Sequence, residues 1–228
     1  MPGPRDYTEW LTHYDDPESD LSWRLRRVQA HVADALERRR GPCRILSACS
    51  GDGRDVIEVL NGRVHGGAAA RGSNGVAPLA DADRVRVVLL ELHPTIADRA
   101  RAAAAAAALP GFEVRTVDAG ATDAYVGAVP ADIVLLVGIF GNISDDDLWR
   151  TIEAAPQLCA PGATLLWSRG RDEGDLNAEV RARFAAAGFT ELAYETLDRD
   201  GRPALGVARY DGPPVDLMPG QPLFTFIR

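Results

Sequence analysis

A glycine turn flanked by carboxylates is the most chemically informative feature of this 228-residue sequence. Gly51 and Gly53 follow the short apolar segment 43–48, which predicts a strand, and Asp55 then opens a helical pattern. Glycines at a strand-to-helix turn allow the backbone to approach a ligand closely and leave helix amides pointing towards it. A tight turn that binds nothing is the alternative interpretation of this motif.

The side chains around this turn bear on the kind of ligand. A dinucleotide motif would place its third glycine at Val56, where a β-branched side chain hinders close approach. Asp52 and Asp55 would also repel a pyrophosphate. S-adenosylmethionine carries a sulfonium, an ammonium and one carboxylate, so an acidic turn suits it better. The charges therefore favour S-adenosylmethionine as the cofactor.

Residues able to bind an adenosine follow three further apolar segments. Glu91 comes directly after the segment 84–90, and a carboxylate there can accept two hydrogen bonds from a ribose diol. Asp118 can accept a hydrogen bond from the adenine amino group while a neighbouring amide donates to a ring nitrogen. Gly138 begins an apolar loop that offers little obstruction to adenine or to a methionine chain. Taken alone, Glu91 is equally well an exposed acid at a strand end.

The hydrophobic pattern predicts a scaffold that brings these positions together. Short apolar runs alternate with amphipathic or alanine-rich stretches, which predicts strands and helices in turn. Short connections between them imply right-handed crossovers and a mainly parallel sheet, so the expected fold class is a doubly wound α/β domain. Such a sheet binds ligands at the carboxyl ends of its strands. The expected strands are 43–48, 84–90, 112–117, 133–137 and 163–167, with terminal candidates at 189–197, 204–210 and 223–227.

At these positions the chain resembles a known family. The segments ILSACSGDGRD, LLELHP, VDAG and ADIVLLVGIFGNI, in this order, look like the cofactor motifs of the class I S-adenosylmethionine-dependent methyltransferases. The resemblance spans residues 43–167 and implies a Rossmann-like, mainly parallel, seven-stranded sheet. Carried over by position, it implies contacts of the methionine part with Gly51 and Gly53, of the ribose with Glu91 and Leu92, of adenine with Asp118 and Ala119, and of the cofactor with Gly138 and Ile139.

Two positions depart from the family pattern. The family often has an acid where Ser47 stands, and its first motif glycine corresponds to Cys49. Ser47 can still hydrogen-bond the amino-acid end of the cofactor, or Asp55 can supply the missing charge. The Asn-Pro-Pro-Tyr motif used on nucleobases and amide nitrogens is absent, since residues 138–141 replace it.

The chain divides into two predicted parts. Residues 1–42 predict an N-terminal helical lid that covers the substrate, and residues 43–228 predict the Rossmann-like domain, with a loop insertion at 61–83. In the lid, His13 is a candidate catalytic base and Tyr14 can close over the methionine moiety. The alternative is that the aromatic residues only anchor this segment to the core.

Two arginines after the expected fifth strand are candidates for binding the substrate. Arg169 and Arg171 can hold an anionic substrate group, or else they are solvated surface charges.

Composition excludes several classes of function. All 25 basic residues are arginine, so the chain has no lysine for a Schiff base, for pyridoxal phosphate or for a P-loop. A net charge of -8 disfavours a nucleic-acid partner. Three widely spaced cysteines fit reduced thiols, and the four histidines share no metal-ligand spacing. The sequence shows neither a signal-peptide pattern nor an apolar run that could cross a membrane, and we expect a cytoplasmic protein.

The leading functional hypothesis is an S-adenosylmethionine-dependent methyltransferase that acts on a small molecule in biosynthesis, in particular in specialised metabolism. The short appendages leave little room for docking a macromolecule. Two alternatives stay open: a protein of this fold that catalyses a non-methylation step, such as an intramolecular displacement or cyclisation, or a non-catalytic partner of another enzyme. A homodimer and a complex with a partner enzyme are both compatible with the sequence.

Overall fold

Strands and helices alternate along the residues that the structure, a computed structural model, describes: 11–62, 82–171, 174–198 and 203–227. The strands are β1 (Cys43–Ala48), β2 (Val85–Glu91), β3 (Phe112–Thr116), β4 (Ala131–Leu136), β5 (Cys159–Gly170), β6 (Phe189–Thr196) and β7 (Pro203–Tyr210). The α-helices are α1 (Asp20–Arg38), α2 (Arg54–Leu60), α3 (Pro94–Ala106), α4 (Asp145–Ala154) and α5 (Asn177–Ala186).

The seven strands form one sheet in the order β3-β2-β1-β4-β5-β7-β6. Strands β1 to β5 are parallel, and β7 pairs antiparallel with both β5 and β6. The predicted doubly wound, mainly parallel, seven-stranded sheet is therefore confirmed. The strand order changes direction between β1 and β4, and in such sheets the crevice that binds ligands opens at this point, beyond the carboxyl ends of the strands.

Helices cover both faces of the sheet because alternate side chains of each strand point to opposite faces. Ile45 of β1 belongs to one core cluster, together with α1, α2 and α3. Its neighbour Leu46 belongs to the other, together with α4 and α5. Val28, Val32 and Leu36 of α1 have no exposed surface, so this helix is part of the first core layer.

Serine hydroxyls cap α1 and α4, and one strand is longer than predicted. Ser19 caps α1, because its hydroxyl oxygen accepts a hydrogen bond from the Ser22 amide at 3.0 Å. Ser144 caps α4, since its hydroxyl accepts from the amide of Asp147 at 3.2 Å. Strand β5 begins at Cys159 and is therefore longer than the predicted strand 163–167.

The predicted terminal strand at 223–227 is wrong. Among the residues described, this segment makes an isolated bridge between Phe226 and Ile143 and belongs to no strand. The amide of Ile227 donates to the carbonyl of Asn142 at 2.8 Å, so the segment packs against the loop after β4 and does not extend the sheet.

Parts of two predicted features fall outside the described residues. Of the loop insertion, residues 63–81 lie outside them; of the N-terminal segment, the structure describes a short 3-10 helix, Leu11–Asp15, that leads into α1. A division of the chain at residue 42 stays a prediction. Among the helices described, none has both the length and the apolar character of a membrane span.

Candidate active site

A cavity of about 430 Å³ lies at the carboxyl ends of β1, β2 and β4, where the strand order changes direction. Its volume is within the range of about 300–1,000 Å³ that is usual for small-molecule sites. The predicted site residues that line it are Tyr14, Gly51, Asp55, Glu91, Leu92, Asp118, Ala119 and Gly138. The structure thus brings together residues from every loop that the sequence indicated.

Four predicted site residues do not line this cavity. Ser47 and Ile139 are buried in the core with 3% and 0% exposure. Gly53 is used in packing, because a Cβ atom at this position would lie 2.6 Å from Cδ1 of Leu89. His13 is exposed outside the cavity. Direct contacts of these four residues with a cofactor or substrate are therefore not supported by their positions.

Glu91 joins two of the loops that form the cavity. Its Oε2 accepts a hydrogen bond from the Gly51 amide at 2.9 Å, and its Oε1 accepts one from the His93 amide at 2.8 Å. Burial raises the pKa of Glu91, and these backbone donors oppose that effect. Each carboxylate oxygen retains a second lone pair, so the side chain can accept two more hydrogen bonds from a diol in the cavity.

Cys49 lies at the start of the glycine turn in a backbone conformation that favours glycine. Its φ is 53°, in the left-handed region, where a side chain costs about 1–2 kcal/mol. This conformation explains why the family pattern has a glycine at the matching position. Burial strongly raises the pKa of the Cys49 thiol, so it is neutral and a poor nucleophile.

The two acids of the turn have different environments. Asp52 pairs with the Arg54 guanidinium, whose Nε lies 2.8 and 3.1 Å from its carboxylate oxygens. Burial raises the pKa of Asp55 to about 6, an effect that the charge of Arg24 opposes and that of Asp52 reinforces. A bound cation would therefore stabilise the ionised form of Asp55 more than that of Asp52.

Tyr14 connects the N-terminal segment to the cavity wall. Its hydroxyl accepts a hydrogen bond from Nη2 of Arg24 at 3.0 Å, and its ring lies 4.5 Å from the guanidinium carbon of Arg54. Its carbonyl accepts from the hydroxyl of Ser22 at 3.1 Å, which ties the segment to α1. Burial raises the pKa of Tyr14, so its hydroxyl is a neutral hydrogen-bonding group.

Arg24, Asn142 and Phe226 are among the residues of the cavity wall that were not predicted from the sequence. Nδ2 of Asn142 donates to the carbonyl of Gly138 at 2.8 Å, and the carbonyl of Asn142 holds the chain next to Phe226. Asn142 could have been identified from the sequence as a polar residue four positions after the loop glycine Gly138. Arg24 and Phe226 reach the cavity through long-range packing, which no local pattern reveals.

No group of three or more histidine, cysteine or acidic side chains suited to a metal occurs among the residues described. The open space beside Gly51 and the two accessible acids, Glu91 and Asp55, instead suit an organic ligand with a diol and a cationic group. These are features of S-adenosylmethionine, so the residues present fit that cofactor.

Comparison with known proteins identifies the fold. No protein-family model and no curated protein matches the sequence. Similar solved structures include the CurJ carbon methyltransferase, with a TM-score of 0.60 and 15% identity over 91% of this chain and 59% of that one. Another is magnesium protoporphyrin IX methyltransferase (ChlM) from Synechocystis PCC 6803 with bound SAH, with a TM-score of 0.57 and 12% identity over 89% and 93% of the two chains. The chain has the class I methyltransferase fold.

Within the class I methyltransferase fold, one similar structure has a different activity in its name. The [4+2]-cyclase SpnF has a TM-score of 0.52 and 16% identity over 79% of this chain and 80% of that one. At such identities the likeness concerns the fold, and the reaction has to be argued from the residues of the cavity.

Proposed function

We propose that this protein is an S-adenosylmethionine-dependent methyltransferase that acts on a small molecule. The observation that carries the proposal is the position of Glu91, which two backbone amides hold at the cavity with acceptor capacity to spare. A carboxylate at the end of the second strand of such a sheet is suited to a ribose diol. The acidic Asp55 and the small residue Gly51 beside it favour a cationic ligand without phosphates.

Three acidic residues of the cavity would each contact a different part of the cofactor. Glu91 would accept from the ribose hydroxyls, and Asp55 would pair with the ammonium group. Asp118 would accept from the adenine amino group; its Oδ1 already accepts from the Gly120 amide at 2.8 Å, which orients the carboxylate. The apolar walls at Ala119 and Ile96 would pack against the adenine ring.

Catalysis would depend on alignment within a closed site. When bound, S-adenosylmethionine supplies an electrophilic methyl group, and a nucleophilic acceptor held in line with it reacts through proximity. Tyr14 and Arg24 would close the cavity towards the N-terminal segment and exclude water. Because the Tyr14 hydroxyl accepts a hydrogen bond from Arg24, its role would be to position groups and not to take a proton. We therefore expect an acceptor that is nucleophilic without a protein base.

Calorimetric titration with S-adenosylmethionine and S-adenosylhomocysteine tests the cofactor part. Both should bind, and Glu91→Gln should weaken binding about tenfold to a hundredfold because it replaces a charged acceptor. Glu37→Ala is the matched control, since Glu37 is exposed on α1 and does not line the cavity. Absence of binding to a protein that circular dichroism shows to be folded would exclude the proposal.

A second candidate function is a non-methylation step such as a cyclisation. The fold shared with SpnF and the exposed position of His13, the predicted base, favour it. The two functions differ in the fate of the cofactor. Methyl transfer is supported if S-adenosylhomocysteine is released in an amount equal to a product whose mass exceeds that of the substrate by one CH2 unit. Cyclisation is supported if the product is an isomer of the substrate and the cofactor is not consumed.

A further inference from the structure

A second cavity of about 180 Å³ adjoins the first on the side of β4 and β5. Arg24, Gly138 and Asn142 line both cavities and so form the boundary between them. The second cavity is smaller than usual ligand sites, so by itself it suits one end of a small molecule. If the first cavity holds the cofactor, an acceptor seated in the second would meet it at this boundary.

Arg169 at the end of β5 lines this second cavity. Its Nη1 donates to the carbonyl of Phe140, and its buried Nε has no hydrogen-bond partner. Among the residues described, no carboxylate lies within ion-pair distance of it. The Nε and Nη2 atoms form the edge of a guanidinium that binds a carboxylate through two parallel hydrogen bonds. The Nε of Arg169 is thus a buried donor without a hydrogen-bond partner among the residues described.

The other charges around the second cavity favour a ligand with a single negative charge. Arg24 and Arg169 carry positive charge and Asp20 carries negative charge at this cavity, and the charge of Arg24 also acts on Asp55. Asp20 repels a doubly charged phosphate more strongly than it repels a carboxylate with a single charge. The hydroxyl of Ser168 accepts a hydrogen bond from the Gly138 amide at 2.9 Å and so fixes the backbone of Gly138 at the boundary between the two cavities.

Arg171, two residues further along, differs from Arg169 in its partners and in its position relative to the second cavity. Its Nη2 donates to the carbonyl of Leu197 at 3.1 Å and pairs with Asp198. Its Nε also lacks a partner, but its charge is already compensated and it does not line the cavity. Of the two arginines that the sequence suggested for an anionic substrate group, the geometry selects Arg169.

We propose that Arg169 binds the carboxylate of the acceptor, so that the protein acts on small carboxylic acids. The assignment of this ligand as an acceptor rests on the proposed function, whereas the carboxylate site itself rests on the second cavity alone.

Titration with simple carboxylates tests the site directly. The probes are acetate, benzoate and phenylacetate, each compared with its primary amide and with phenyl phosphate, in the absence and presence of saturating S-adenosylhomocysteine. We expect at least one carboxylate to bind more tightly than its amide. Arg169→Gln should weaken that binding about tenfold to a hundredfold, and Arg169→Lys, which keeps the charge without the planar edge, should weaken it less.

Arg171→Gln is the matched control and should retain carboxylate affinity. The proposal is overturned if no carboxylate binds better than its amide, if Arg169→Gln binds as well as the wild type, or if phenyl phosphate binds more tightly than the carboxylates. Failure of S-adenosylhomocysteine to bind while carboxylates still depend on Arg169 would refute the cofactor assignment and leave the carboxylate site supported. Cofactor binding without any carboxylate preference would refute the site alone.

Discussion

Asp55 should make cofactor affinity depend on pH. Burial raises the pKa of Asp55 to about 6, so in the free protein at pH 5 the carboxyl is mostly neutral. An ammonium group bound beside it favours the ionised form and would return the pKa towards its ordinary value of 3.8. Because the ionised carboxylate holds the cation more strongly, binding should become tighter as the pH rises.

The size of the effect follows from the ionised fraction of Asp55 in the free protein. With a pKa of about 6, this fraction rises about tenfold between pH 5 and pH 7. The dissociation constant of S-adenosylhomocysteine, which keeps the ammonium group, should therefore fall about tenfold over the same interval. In Asp55→Asn the neutral amide removes this dependence and leaves the weaker affinity at both pH values.

Isothermal titration calorimetry at pH 5, 6 and 7 measures these constants. His93 lines the same cavity, so His93→Asn is the matched control and should keep the pH dependence. A flat profile in the wild type, or the same slope in Asp55→Asn, would refute the placement of a cationic group beside Asp55.

Expected outcomes for five further variants follow from the structure. Because ionisation of Asp55 opposes folding above its raised pKa, Asp55→Asn should increase the free energy of unfolding in urea by about 1–3 kcal/mol at pH 7 and should give no gain near pH 3. Gly53→Ala should decrease that free energy by about 2–4 kcal/mol, since its φ is 76° and a Cβ would lie 2.6 Å from a buried leucine methyl carbon. Gly51→Ala, whose φ is 58° with no atom within 4 Å of a Cβ, should cost only about 1–2 kcal/mol, and equal losses would contradict the packing role of Gly53. Tyr14→Phe should weaken S-adenosylhomocysteine binding about twofold to tenfold in calorimetry, because it deletes the hydroxyl that orients a guanidinium, and an unchanged constant would argue against its place in the wall. His13→Ala should leave kcat/KM unchanged because the side chain is exposed outside the cavity, and a tenfold loss would restore it as a candidate base.

The sheet and the positions of its loops could be predicted because their signals are local. Residues 87–90 form an apolar run that is buried in the sheet, and the glycine turn after residues 43–48 follows from the backbone freedom of Gly51. Parallel strands place their carboxyl ends at one edge, so loops that are distant in the sequence meet there.

Side-chain directions within those loops were less predictable. Ser47 and Ile139 belong to segments that carry the family motifs, yet both side chains are buried in the core. Position in a motif identifies the loop, whereas the pleat of the strand and the conformation of the turn decide which side chains face the cavity.

Contacts made by the chain termini were the hardest to predict. Phe224 and Phe226 belong to a short apolar segment that is typical of a strand, but such a pattern indicates burial and does not identify the packing partner. Arg24 lies on α1, and it reaches the cavity because this helix packs on the sheet beside it. Both arrangements depend on tertiary packing between distant segments.

A crystal structure of the protein with S-adenosylhomocysteine tests the proposed cofactor site most directly. We expect adenosine between Gly51 and Glu91, with ribose hydroxyls about 2.6–3.2 Å from the Glu91 carboxylate and the ammonium group beside Asp55. Adenosine bound elsewhere, or a Glu91 carboxylate without contact to the ribose, would contradict this expectation.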